Sequence, residues 1–180
     1  MRIVGIDHLR FKVYRLNGVL VVAAAGNSAN SDFPSVCAPA NSAQAMTWST
    51  SPIAVGAVDR RKQIAYFSSR GQKCLPWNPV GCVAPGVNVK STYLDNENVE
   101  MSGTSMACSH VAGLAALLCQ RWNSCDVYKI KKQLLLGTFY SHAYPPSTYM
   151  GFGLINCDRA VSTYYVNMFF DRLEEWHLFS

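Results

Sequence analysis

The sequence predicts an α/β protein built on a parallel sheet, and three stretches carry that prediction. Val19 to Ala25 is an unbroken apolar run, and Ile53-Ala54-Val55-Gly56-Ala57-Val58 is a second. Short runs without polar alternation suit strands buried on both faces of a parallel sheet. The third stretch starts at Met101-Ser102-Gly103-Thr104-Ser105-Met106-Ala107-Cys108-Ser109-His110-Val111-Ala112-Gly113 and continues through Leu118. Its small, flexible Gly103-Thr104-Ser105 leads into residues that are almost all apolar, which predicts a turn feeding a buried helix.

In chain order, residues 3–16 place Ile6, Leu9, Val13 and Leu16 at helical spacing, with Arg10, Lys12 and Arg15 between them. A helix is expected there, ending at Asn17-Gly18. Asp7 and His8 lie on it as neighbours, but adjacent helix residues point about 100° apart, so no catalytic pair is assigned to them. The Val19–Ala25 strand ends in Gly26-Asn27. Residues 28–52, rich in Ser, Ala, Asn and Pro, have no period and read as a long loop. After the Ile53–Val58 strand, Asp59 begins a polar turn. Beyond the serine-led helix, Asn123-Ser124 is the expected cap of a helix from Cys125 to Leu136. Val127, Ile130 and Leu134 form one face of that helix, with Lys129, Lys131 and Lys132 elsewhere. His142 falls in a Ser/Pro-rich loop and reads as a surface residue. Val166, Phe169, Phe170, Leu173 and Trp176 form a helical stripe suited to docking.

Composition narrows the function. A chain of 180 residues, 49% hydrophobic and 15% charged, suits one domain with a sizeable core. The net charge is +5, but the basic residues (Arg60-Arg61-Lys62, Arg70, Lys73, Lys129, Lys131, Lys132) are scattered. Without a stripe interleaved with aromatics they read as solvated surface, and nucleic acid is not expected as a partner. No apolar run approaches the roughly 18 residues of a membrane span, so no membrane partner is expected. No signal peptide is visible at the N-terminus. Seven cysteines stand at 37, 74, 82, 108, 119, 125 and 157, none in a CxxC pair, so zinc is not expected. Cys108 and Cys119 lie on the buried helix and are expected in the core.

Two polar residues stand out. A hydroxyl at Ser105 would face the unpaired N–H groups and positive dipole end of a helix, which favour developing negative charge. It is equally placed to act as an N-cap. Asn27, at a strand end, offers a side-chain amide donor, or serves as an ordinary turn residue.

Gly103-Thr104-Ser105-Met106-Ala107 followed by His110-Val111-Ala112-Gly113 resembles the nucleophile motif of the subtilisin-like serine proteases. Val21-Val22-Ala23-Ala24-Ala25-Gly26-Asn27 resembles that family's strand bearing the oxyanion-hole asparagine. Ala38-Pro39-Ala40 resembles the segment closing the primary specificity pocket, opposite Ala24-Ala25-Gly26. Residues 53–58, 65–71, 83–87 and 151–156 resemble further family segments in the family's order.

The resemblance implies a doubly wound parallel-sheet fold over residues 1–160; residues 161–180 lie beyond it, an extension that the apolar stripe predicts to be helical. It implies a serine endopeptidase acting on polypeptides, with Ser105 as nucleophile, Asn27 completing the oxyanion hole, and His110 a helix residue rather than the base. Small pocket walls at Ala24, Ala25, Gly26, Ala38, Pro39 and Ala40 would admit a large apolar side chain. Ser109 stands where the family usually has Pro; in a first helical turn that exchange is expected to cost little. Gly81 stands where the family often has an Asp that helps bind calcium, so no cofactor or metal is expected. A location outside the cell or in the secretory pathway is likewise implied.

The family's Asp-Thr-Gly strand and His-Gly-Thr-His helix come earlier in its sequence, and neither motif occurs here. None of His8, His110, His142 and His177 sits in a matching motif. A serine without a base is a poor nucleophile, and in subtilisin itself losing the base costs about 10⁶ in turnover. The expectation is a fold incomplete at its N-terminal side, with one sheet edge open. The chain alone is expected to be inactive, its partners a polypeptide substrate and a missing N-terminal half or pro-segment. The alternative is a non-catalytic pseudoprotease acting as a protein-binding module.

Overall fold

The computed structural model describes residues 18–30, 35–37, 39–41, 51–71, 80–123, 126–139 and 147–162. The helix expected over residues 3–16, Ala38, His142 and the stripe from Val166 to Trp176 lie outside them.

Three strands, β1 (Val22–Ala24), β2 (Ile53–Val58) and β3 (Cys82–Pro85), form a parallel sheet in that order. Val22 pairs with Ile53, and Val55 with Cys82. All six residues of the central β2 are buried. Strand alternation sends Ile53, Val55 and Ala57 into one core and Ala54 and Val58 into another. The continuous apolar run is therefore a sheet covered on both faces. The Val19–Ala25 run is realised less fully: Ala23 and Ala25 are buried, whereas Val19 is 45% exposed. Among the described residues β1 is an edge strand, so one side of it has no neighbour to bury against.

Helix α1 (Thr104–Trp122) covers one face of the sheet. Thr104, Ala107, Val111, Leu114, Ala115 and Leu118 are its buried residues, a spacing of three and four that keeps them on one stripe. The expectation of a wholly buried helix is corrected: Ala112, Gly113, Ala116 and Leu117 are exposed on its other side. Asn123 closes α1 in the left-handed conformation, its N–H donating to the Cys119 and Gln120 carbonyls. It caps the helix behind it rather than the one ahead. The next helix, α2 (Val127–Leu136), starts later than expected and is capped by Asp126, whose carboxylate accepts the Lys129 N–H at 3.1 Å.

Ile130 and Leu134 are buried as expected. Lys131 corrects the reading of the basic residues as solvated surface. It is 2% exposed, and its Nζ donates to the Ser51 carbonyl at 2.6 Å and to Ser51 Oγ at 2.9 Å. Those bonds tie α2 to the segment entering β2.

On the opposite sheet face Ala23, Ala25, Val36, Ala40, Val80, Val83 and Leu154 complete the second core. The short helix α3 (Cys157–Val161) follows, its cap Asn156 accepting the Arg159 N–H at 2.8 Å. One element had no sequence counterpart: an antiparallel hairpin of β4 (Val89–Thr92) and β5 (Asn98–Met101). Asp95 and Asn96 take positive φ at its turn, which these two residue types tolerate best after glycine. The hairpin delivers the chain directly to Ser102-Gly103.

Candidate active site

The site is assembled where the end of β1 meets the start of α1. Ala25 N–H still donates to the Val55 carbonyl at 2.9 Å, and the chain then turns at Gly26 with φ +112°. That conformation favours glycine, and a Cβ there would also lie 2.8 Å from Cys37 Sγ. The turn presents Asn27 to the helix. Asn27 Oδ1 accepts two bonds from Thr104, the backbone N–H at 2.9 Å and the hydroxyl at 3.0 Å. Gly26 N–H donates to the same Thr104 Oγ1 at 3.1 Å. Thr104 N–H is one of the donors a helix leaves unpaired, so Asn27 supplies part of the α1 cap from across the fold.

On the other side of the turn, Gly103 N–H donates to the Gly86 carbonyl at 2.8 Å. A Cβ at Gly86 would lie 2.6 Å from Ala57 Cβ and 2.8 Å from the Gly103 carbonyl oxygen. Only glycine lets the strand-end segment after β3 approach the serine turn this closely. Ser102 Oγ accepts the Asn88 N–H at 2.9 Å and donates to Asn88 Oδ1 at 3.2 Å, fastening the hairpin to the same turn.

Ser105 is the second residue of α1 and is exposed. The N-cap position is held by Gly103, which has no side chain to make a local cap bond, so Ser105 does not serve as the cap. No described residue accepts a bond from the Ser105 hydroxyl, and none accepts from Asn27 Nδ2, which lies 3.3 Å from the Cβ position of Gly103. The start of the helix and the uncommitted amide donor thus flank Gly103, with Ser105 N and Asn27 Nδ2 lying 3.8 and 3.3 Å from where a Cβ on Gly103 would stand, and the exposed Ser105 follows directly. His110 is not part of this arrangement: its Nδ1 lies 2.9 Å from the Met106 carbonyl oxygen, back along its own helix. Ser109 corrects the expectation that it occupies the first turn. It lies in the second, where its Oγ donates to the Ser105 carbonyl at 3.2 Å. Proline here would remove an amide from the helix ladder, which serine keeps.

Cys37, the residue before the expected second wall, donates its N–H to the Ala25 carbonyl of the first at 2.9 Å. Ala25 and Ala40 are fully buried in the second core, so neither side chain faces a ligand. Ala24 and Gly26 are half-buried and Pro39 is exposed. Gly81 is closely packed: its carbonyl accepts the Phe152 N–H at 2.9 Å, and a Cβ would lie 3.2 Å from Ile53 Cγ2. Among the described residues no cluster of three or more His, Cys, Asp or Glu is placed to hold a metal ion.

Burial pushes the Cys82 thiol well above its ordinary range, with Cys108 adding to the rise and Lys131 opposing it; burial also raises Cys108. Both stay protonated at neutral pH and are poor nucleophiles. The residue that sequence reasoning passed over is Thr104, whose buried hydroxyl touches both Gly26 and Asn27. Its one signal was its position between Gly103 and Ser105.

The family model described as the subtilase family, Peptidase_S8, matches residues 6–153. Subtilisin DY of Bacillus licheniformis is 39% identical over 145 residues, which cover 80% of this chain and 47% of that protein. A thermostable alkaline protease of Halalkalibacterium halodurans is 39% identical over 158 residues, covering 87% of this chain and 38% of the relative. This chain thus spans less than half the length of either. Among solved structures, the self-cleaved protease domain of PatA superposes with a TM-score of 0.68 at 27% identity, over 86% of this chain and 53% of that one. Fervidolysin from Fervidobacterium pennivorans, a keratinolytic enzyme related to subtilisin, gives a TM-score of 0.68 at 26% identity, over 86% of this chain and 24% of its own.

Proposed function

We propose that this chain, which belongs to the subtilase family of subtilisin-like serine proteases, carries the nucleophile and the oxyanion donor for peptide-bond hydrolysis in a polypeptide substrate. Ser105 Oγ attacks the scissile carbonyl carbon, forming an acyl-enzyme that water later releases. The carbonyl oxygen becomes negative in the attack and is met by the Ser105 N–H, the helix dipole and Asn27 Nδ2. The observation supporting this most directly is the pair of bonds from Thr104 to Asn27 Oδ1, which join residues 77 positions apart. They leave the donor end of the Asn27 amide uncommitted beside the serine turn.

The reaction also needs a base to take the serine proton and a carboxylate to orient that base. The 180 residues contain neither family motif that would supply them. The His110 ring is engaged with its own helix. We therefore assign the isolated chain no peptide-bond turnover, and full activity to its complex with a segment bearing the Asp-Thr-Gly and His-Gly-Thr-His motifs. No calcium ion is expected at Gly81.

A fluorophosphonate probe on the purified chain and its Ser105→Ala variant tests this. The expected result is no labelling of the chain alone and labelling at Ser105 once a separate Asp/His-bearing segment is bound. Stoichiometric labelling of the chain alone would defeat the inactivity assignment. Failure to label even with that segment bound would defeat the nucleophile assignment.

A further inference from the structure

We propose that the basic turn Arg60-Arg61-Lys62, with Phe139 and Arg159 beside it, is a docking surface for an acidic stretch of a polypeptide substrate. Only the choice of a substrate as the docked chain rests on the proteolytic reading of Ser105. Lys62 Nζ lies 5.2 Å from the Phe139 ring centroid and Arg159 Cζ lies 5.3 Å from it. Two cations from opposite halves of the chain thus converge on one ring. The ring attracts each of them through its quadrupole, while they repel one another. A carboxylate received by both cations relieves that repulsion and adds charge-assisted hydrogen bonds.

The fold prepares this surface. Lys62 N–H donates to the Asp59 carbonyl at 3.0 Å, closing the turn. Asp59 Oδ1 accepts the Arg61 N–H at 2.8 Å and the Gln63 N–H at 2.9 Å, so that oxygen is spent on the turn's own backbone. Lys62 takes φ +63°, a left-handed conformation that glycine or asparagine reaches at lower cost. A lysine is held there with its ammonium at the ring. Arg159 Nη1 donates to the Thr138 carbonyl at 3.1 Å, which fixes the second cation. Arg60, Arg61 and Lys62 are exposed, and so is part of Phe139.

The turn also lies at the functional end of the sheet. The Val58 carbonyl, just ahead of it, accepts the Gly86 N–H at 3.0 Å, and the Gly86 carbonyl accepts the Gly103 N–H. Basic turn and serine turn therefore leave the same end of the sheet, where one extended polypeptide can engage both. Nucleic acid fits less well. Single strands bind through bases stacked on aromatic faces, and the Phe139 ring is already engaged by two cations.

The test is fluorescence anisotropy of the full chain with three fluorescein-labelled probes: a Glu-rich peptide, its Gln counterpart and a single-stranded oligonucleotide. Arg61→Ala/Lys62→Gly removes two cations and gives position 62 the residue its backbone favours. Arg121→Ala/Lys129→Ala removes two exposed cations from the helices and lowers the net charge equally. The Glu-rich peptide should bind and the Gln peptide should not. The first variant should weaken binding roughly five- to tenfold, and the second less than about twofold. Equal losses in the two variants, or no binding of the Glu-rich peptide, would overturn the proposal. Tighter binding of the oligonucleotide, lost in the first variant, would overturn it in favour of a nucleic-acid partner. No readout needs turnover. Peptide binding with an unreactive Ser105 supports the surface while rejecting the proposed function, and a reactive Ser105 without peptide binding does the reverse.

Discussion

Cys82 is buried between the sheet and α1, and its thiol is held protonated far above the ordinary value of 9.0. The unfolded chain loses that proton near 9.0 while the folded chain keeps it. Stability contributed by the group is therefore complete below 9.0 and is lost as the pH rises above it. One such group removes on the order of 1 kcal/mol by about pH 10. Urea unfolding should show a larger alkaline loss for wild type than for Cys82→Ala; equal losses would reject the assignment. Lys131 shows the limit of reading single residues: its sequence neighbourhood is basic, yet its ammonium is sequestered against Ser51. No local pattern distinguishes it from Lys132, because the deciding partner lies 80 positions away.

At the scale of elements, α1 divides sharply into two sides that its sequence does not mark. Leu117 and Leu118 are adjacent and chemically identical, yet Leu118 is fully buried and Leu117 is 53% exposed. Leu118→Ala should lower the unfolding free energy by about 2–5 kcal/mol through lost burial and a cavity. Leu117→Ala should cost less than about 1 kcal/mol. Chemical denaturation of the two variants compares them directly, and similar losses would contradict the packing described for α1. The helix itself was legible from its apolar run and the Gly103-Thr104-Ser105 lead. Its exposed stripe was not, because alanine, glycine and leucine stand where a solvated helix carries polar residues. The caps were misplaced for a related reason. Asn123, Ser124 and Asp126 all favour helix ends, and only the left-handed backbone of Asn123 reveals which end it serves.

For the whole molecule, a parallel sheet is covered by cores on both faces while β1 remains an edge among the described residues. The exposed stripe of α1, Ala112, Gly113, Ala116 and Leu117, belongs to the helix that packs on that same strand. Open parallel edges and apolar faces promote association. The net charge of +5 opposes it only weakly at physiological salt. Sedimentation velocity should show self-association that grows with concentration and is reduced by Leu117→Lys. A monomer over the whole concentration range would show that this stripe is not adhesive.

Local chemistry in the sequence was enough to specify the parallel-sheet class, the two apolar strands, the helix behind Ser105 and the motifs of the subtilases. Each of those depends on residues within a turn or two of one another, where periodicity and glycine placement act. The union of Asn27 with Thr104, the burial of Lys131 against Ser51, and the withdrawal of Ala25 and Ala40 into the core were settled only by the tertiary fold. They arise from contacts between segments far apart in the chain, and a hydrogen bond across such a distance leaves no trace in the spacing of either partner.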